Sequence, residues 1–291
     1  MHRYLRSIGF SKYIRNKEIK ELIKKTIRFS DSKVYVSGDN EIIWAEYRKE
    51  FLPGMGIAVC GEYTEENEFE MEYYFPYFIS DTISSSEDIS IEKHAATDSF
   101  SGICEDYKVG VSLIFYLQNR MDYFKELMRN NIPAVNTSVN LSGLSVDGMI
   151  VLPLKKDENQ VMRNRSKLNK RNKLIAQARA GDEKAIESLT LEDMDKYSLV
   201  TRKVLSHDVF TLVDTYFMPY GVECDQYSVM GEIEEVKLAK NKMTKEDIYI
   251  ISMNCNDINI DVCINKKDLI GEPAPKRRFK GVIWMQGAIN F

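Results

Sequence analysis

The sequence predicts an α+β fold: an N-terminal mixed antiparallel sheet with helices, a helical middle segment and a C-terminal small β-barrel-like unit. Three observations predict it. Apolar residues alternate with period two over 33–78 and again over 227–286. Helical spacing marks 17–29 and much of 155–222, and the strand stretches come in groups instead of alternating one by one with helices.

Lys17 to Phe29 places Ile19, Leu22, Ile23 and Ile27 on one side of a helix, with Lys20, Lys24, Lys25 and Arg28 around the rest. Strands follow over 33–36, 41–47, 56–63 and 68–78. Gly38-Asp39-Asn40 separates the first pair as a tight hairpin turn would, and Pro53-Gly54 marks another turn. In the fourth, Phe69, Met71, Tyr73 and Phe75 alternate with Glu68, Glu70 and Glu72, giving one greasy and one acidic face. Residues 80–107, with Ser84-Ser85-Ser86 and scattered acids, read as a long surface loop holding at most one short element. Strand character returns over 108–117, a helix over 119–129 and a final hairpin over 135–141 and 146–154. These elements make a first unit, 1–154.

Residues 155–222 read as a helical connecting segment. Gly181 stops one helix, Asp182 caps the next through Leu189, and Thr190 caps a third that begins Leu191-Glu192-Asp193. Val209, Phe210, Leu212, Val213, Tyr216 and Phe217 form a buried helix face that Pro219 and Gly221 end. From 223 to 291 the period is two, with strands over 227–236, 247–255, 258–264 and 279–286 and a hairpin turn at Asn256-Asp257. So many strands on short turns suggest a small closed or half-closed barrel.

At 291 residues with 44% apolar and 29% charged side chains, the chain is neither disordered nor low-complexity. No apolar run follows the basic start Met1–Arg6 as in a secretory signal. The densest apolar run, 109–117, falls well short of the roughly 20 residues a membrane helix needs. Five cysteines (Cys60, Cys104, Cys224, Cys255 and Cys263), odd in number and irregularly spaced, suit reduced thiols in a cytoplasm.

The net charge of −4 hides a block layout. Residues 1–28 carry nine Lys/Arg against Glu18 and Glu21, and residues 60–106 carry thirteen acids against Lys93. Residues 155–180 carry nine Lys/Arg against Asp157 and Glu158. The expectation is internal compensation, with two basic helices lying against one acidic surface of the same molecule.

Several stretches are similar to a family of uncharacterised clostridial proteins of about this length, filed as a domain of unknown function. They are the opening Met1-His2-Arg3-Tyr4-Leu5-Arg6 with Ile8-Gly9-Phe10, the run Phe217 to Tyr227, Asp261-Val262-Cys263-Ile264-Asn265, and Gly271-Glu272-Pro273 followed by Arg277 to Gly281. The resemblance runs end to end. It implies no activity, cofactor or catalytic residue. At 276 the family pattern favours Gly where this chain has Lys, so the turn before Phe279 is expected to differ.

The chemistries that the residues permit are few. Gly54-Met55-Gly56 precedes a strand and lacks the Lys-Ser/Thr of a phosphate loop. Cys255 and Cys263 could meet across a hairpin as a zinc or redox pair, although two small core side chains explain them better. His94 and Cys104, ten residues apart beside Asp98, Glu105 and Asp106, are the candidate nucleophile pair, and no motif frames them. Asp81, Glu87, Asp88 and Glu92 belong to an acidic stretch that any solvated surface could carry.

A helix over 161–180 would put Val161, Leu168 and Ile175 on a thin apolar stripe with Arg163, Lys167 and Lys170 opposite and Lys173 beside them, a spacing able to track phosphates. It lacks aromatic residues for stacking on single strands. The sequence thus points to a non-catalytic cytoplasmic binding or regulatory module for a protein or small ligand, with no cofactor and no membrane partner. Nucleic-acid binding through 155–180 and an enzyme with a pocket under 80–107 are the alternatives.

Overall fold

The computed structural model describes residues 2–13, 15–37, 42–93, 99–106, 112–129, 137–153, 170–171, 173–175, 177–178, 180–191, 213–222 and 225–291. Most of these residues lie in strands, and helices are few. Four strands form a first antiparallel sheet in sequence order: β1 (Ser32–Ser37), β2 (Ile43–Leu52), β3 (Met55–Tyr63) and β4 (Phe69–Phe78). The helix α1 (Asn16–Arg28) buries Ile19, Leu22, Ile23 and Thr26, and its apolar side joins one core with Tyr47, Phe51, Ile57 and Val59. That is the amphipathic face its spacing predicts.

The second sheet draws on both ends of the chain. It contains β5 (Ile89–Lys93), β6 (Phe100–Cys104), β7 (Leu113–Leu117), β8 (Ser138–Val151), β10 (Gln226–Lys240), β11 (Asp247–Cys255), β12 (Ile258–Asn265), β13 (Leu269–Ile270) and β14 (Arg278–Asn290). A short β9 (Tyr216–Pro219) adds to β10, and the helix α2 (Arg120–Met128) follows β7. Strand β8 pairs antiparallel with β14 over its whole length and parallel with β12 over Ser142–Ser145. Because β12–β11, β11–β10 and β10–β14 also pair, five strands hydrogen-bond in a circuit that returns to β8. Ile233, Met253, Ile260, Val262, Phe279 and Ile283 are buried in one apolar cluster of these strands.

Glycine makes this close approach possible. A Cβ at Gly148 would stand 2.6 Å from the Phe279 ring, and one at Gly143 would stand 2.9 Å from Ile283 Cδ1. The hairpin expected over 135–154 is therefore one uninterrupted strand. Gly143, between the two expected strands, and Gly148, inside the second, are the places where Ile283 and Phe279 of β14 cross β8. The expected division of strands into a 1–154 unit and a 223–291 unit does not divide the sheets, since β8 belongs to the circuit.

Three further expectations are corrected. Within 80–107 the chain forms β5 and β6 instead of a loop, and Ser84, Ser85, Ser101 and Asp106 are buried. Buried hydrogen bonds match three of them: Ser84 Oγ donates to the Asn259 carbonyl of β12 at 2.6 Å and Ser85 Oγ to Asp106 Oδ2 at 2.7 Å. Asp182 does cap a helix, accepting from the amides of Lys184 and Ala185. Thr190 lies inside that helix, which covers 183–191, and its hydroxyl donates back to the Ile186 carbonyl. Tyr216 and Phe217 sit on the strand β9, with Phe217 buried 4.6 Å from the Tyr227 ring, so their apolar pattern reflects an edge strand. Val209, Phe210, Leu212, the turn at 38–41 and residues 154–169 lie outside the described residues.

The expected turn at Asn256-Asp257 has both residues in the left-handed region, φ 52° and 62°, as a primed hairpin turn requires. Lys276 adopts φ 68° while its amide donates to the Ile233 carbonyl at 2.8 Å. For a residue with a Cβ that conformation costs about 1–2 kcal/mol, a cost that Gly would not carry. Lys276→Gly, which also frees the unfolded chain, should raise stability by about 1 kcal/mol or less in a denaturant titration; a lowered midpoint would contradict the strained turn.

Candidate functional site

The start of the chain is stitched onto the outside of the strand circuit. Residues Arg3–Ile8 form a 3-10 turn that ends at Gly9, φ 95°, where a Cβ would come within 2.9 Å of Asn241. Asn241 Nδ2 donates to the Ile8 carbonyl at 2.8 Å and Thr244 Oγ1 to the Gly9 carbonyl at 2.6 Å. The Tyr4 ring stacks 5.3 Å from Trp284 of β14. Glu246 accepts from Ser11 Oγ at 2.7 Å and from Asn265 Nδ2 at 2.6 Å. Burial opposes its ionisation, but these bonds and the charge of Lys267 outweigh that and lower its pKa.

This docking leaves two adjoining hollows that share His2 and Arg3. The first, about 380 Å³, is walled also by Arg6, Phe10, Tyr13 and Asp268. The second, about 310 Å³, adds Tyr4, Asp225, Gln226 and Trp284. Both lie at the small end of the roughly 300–1,000 Å³ range of ligand pockets. Arg6 pairs with Asp268, while the Arg3 guanidinium donates to Gln226 Oε1 and stands 4.7 Å over the Tyr4 ring. Trp284 Nε1 donates to Asp225 Oδ2 at 2.7 Å, and the same indole lies 4.7 Å from the His2 ring. The site therefore offers a guanidinium, an imidazole and aromatic faces, with the Asp268 carboxylate engaged by Arg6 and that of Asp225 by the Trp284 indole.

The residues singled out from the sequence lie elsewhere. Cys104 is fully buried near Ser85 and Asp106, and burial raises its pKa, so it is not poised as a nucleophile. His94, its expected partner, lies outside the described residues. The hairpin register pairs Cys255 with Ile258 and Cys263 with Ile250, an odd offset that puts the two thiols on opposite faces. They occupy different core clusters, and burial pushes each up to about 12. Lys170 and Lys173 are exposed on helical residues, while Arg163 and Lys167 lie outside the described residues. Among the described residues no group of three or more His, Cys, Asp or Glu could hold a metal ion. Among them, too, no helix is long and apolar enough to cross a membrane.

Sequence reasoning missed Arg3, Gln226 and Trp284 as a group, since 223 residues separate the first two. The available signal was that two of the family-like stretches, Met1–Phe10 and Phe217–Tyr227, supply facing walls of one hollow.

The His2 Nδ1 is buried without a hydrogen-bond partner. Burial, together with neighbouring positive charge that includes Arg3, lowers the His2 pKa to about 4. A depressed value means that the unfolded chain takes up this proton first, so the contribution to stability is intact above pH 6.5 and drains as pH falls towards 4. An NMR titration of the His2 imidazole should show a midpoint near 4; a midpoint at 6 or above would contradict its enclosure.

No curated protein and no solved structure matches the chain. A family model described as a domain of unknown function, E. rectale gene description (DUF3881), matches residues 5–287, and the chain belongs to that family.

Proposed function

We propose that the chain is a non-catalytic binding module whose ligand is a small organic anion held in the paired hollow at His2 and Arg3. The observation that carries this reading is the placing of the Arg3 guanidinium on the wall common to both hollows, with the aromatic rings of Tyr4 and Trp284 beside it. A cation on a partly dry aromatic floor binds an anion more strongly than the same cation in water would. The barrel-like reading of the C-terminal strands agrees with this role, because the circuit through β8 supports a rigid base for the docked N-terminal turn. A cytoplasmic location is retained from the odd, irregular cysteine usage.

The two alternatives have less behind them. Nucleic-acid binding through 155–180 keeps the exposed Lys170 and Lys173. An enzyme with a pocket at 80–107 would use a hollow of about 260 Å³ beside β5, lined by Ile89, Ser90, Ile91, Tyr123, Leu127 and Thr137, which brings hydroxyls but no carboxylate, imidazole, thiol or ammonium group.

Trp44→Phe leaves Trp284 as the one indole in the chain, since the sequence has two Trp. In that variant phenyl phosphate should change the emission saturably, and Arg3→Ala should weaken the midpoint about tenfold, or about 1.4 kcal/mol. A response that stays linear, or one indifferent to Arg3→Ala, would contradict the reading.

A further inference from the structure

On the side of the first sheet that carries α1, the helix covers one half and leaves the other open. Beyond the helix Tyr35, Tyr47, Tyr63 and Phe69 form a continuous aromatic array across all four strands, with ring centroids 4.9–6.3 Å apart; Tyr47 is its buried base, with Lys33 Nζ 5.7 Å over its ring, and Tyr63 and Phe69 are half-buried. Tyr35 is 48% exposed, Ile43 39% and Met71 44%, and Phe29 at the end of α1 is 55% exposed. The register places Ile43 beside Tyr63, and Met71 beside Gly61, on this same face. An apolar patch of this kind on a strand face marks an interaction surface.

The charges on either side of the patch are opposite. Lys17, Lys20, Lys24, Lys25 and Arg28 are exposed on α1, and none of the ion pairs among the described residues engages them. Beyond the other edge, residues 62–72 carry six Glu and no Lys or Arg, and Glu65, Glu66, Glu68 and Glu70 are exposed. The patch is thus bordered by a cationic ridge on one side and an anionic hairpin on the other. A nucleic acid or an anionic membrane would be drawn to the ridge and repelled by the hairpin. A partner fitting the whole surface must carry the same sequence of charges in reverse order.

We infer that this face is a homodimer interface, and that its occupant is a second copy of the chain related by a two-fold axis through the aromatic patch. A two-fold rotation sets the α1 ridge of one copy against the 62–72 hairpin of the other, twice, and stacks the two aromatic arrays at the centre. A helix stands about 10 Å above the sheet it covers, so each copy's α1 also fills the step left on the other. The basic and acidic blocks then compensate between molecules. This inference is independent of the anion site at His2 and Arg3.

Sedimentation velocity on the full chain tests it. The wild type should sediment as a dimer at micromolar concentration in low salt and dissociate towards monomer near 1 M NaCl, where the Debye length falls to about 3 Å. Lys20→Glu with Lys24→Glu should be monomeric, and so should Glu66→Lys with Glu68→Lys, each with an unchanged thermal midpoint. Mixed one to one, the two variants should form a heterodimer, because a negative ridge then meets a positive hairpin and the reverse pair also matches. A monomeric wild type, a dimer indifferent to either reversal, or failure of the mixed variants to pair while both remain folded would each overturn the inference.

Discussion

The structure turns on how the outer strand of one sheet is received by the other. β4 is an edge strand, and its exposed backbone groups need partners if they are to be buried. The fully buried Gln286 of β14 supplies two: its Nε2 donates to the Pro76 carbonyl at 2.8 Å and its Oε1 accepts from the Phe78 amide at 3.2 Å. Gln118 and Ser142 donate to the Phe78 carbonyl, and Gln118 also donates to Gln286 Oε1 at 2.6 Å. A side-chain amide thus continues the hydrogen bonding of the first sheet into the second. Each member left unmatched in such a dry network would cost about 1–3 kcal/mol.

Beside this seam lies a buried ionic pair. Glu46 Oε1 pairs with Arg48 Nε at 2.6 Å, and the Cys60 thiol approaches Glu46 Oε2 at 3.6 Å. Burial, reinforced by the Glu46 charge, raises the Cys60 pKa and keeps the thiol protonated. Arg120 stands 4.9 Å over the Tyr73 ring on the same side. The pair itself lies within β2, and what crosses to the second sheet is Arg48, whose guanidinium also donates to the Gln118 carbonyl, and Arg120, so parting the sheets would strip a buried cation of a partner. Electrostatics inside the molecule is therefore short-ranged and paired, whereas the large charge blocks on α1 and at 62–72 are left on the outside.

The helix α1, the strand 247–255 and the turn at 256–257 were legible because each is fixed by local periodicity or turn chemistry. Partnership was not. Alternation in β8 tells which side chains share a face but carries no information on its pairing with β12 and β14, more than a hundred residues away. Burial of Ser84, Ser85 and Asp106 was hidden for a related reason, since polar residues read as surface unless their hydrogen bonds are known. The candidate site suffers from both effects: Arg3, Gln226 and Trp284 are ordinary residues singly and a site only once the turn docks on the circuit. Charge blocks could be counted from the sequence, but their placement needed the sheet.

If the Gln286 seam binds the sheets as described, the first sheet and the circuit unfold together. Two single-tryptophan variants report on them separately: Trp284→Phe leaves Trp44 of β2, and Trp44→Phe leaves Trp284 of β14. Guanidinium unfolding followed by emission should give coincident midpoints in the two, once each is referred to the variant's own far-UV circular dichroism. Transitions that separate, with one sheet melting while the other persists, would contradict the account.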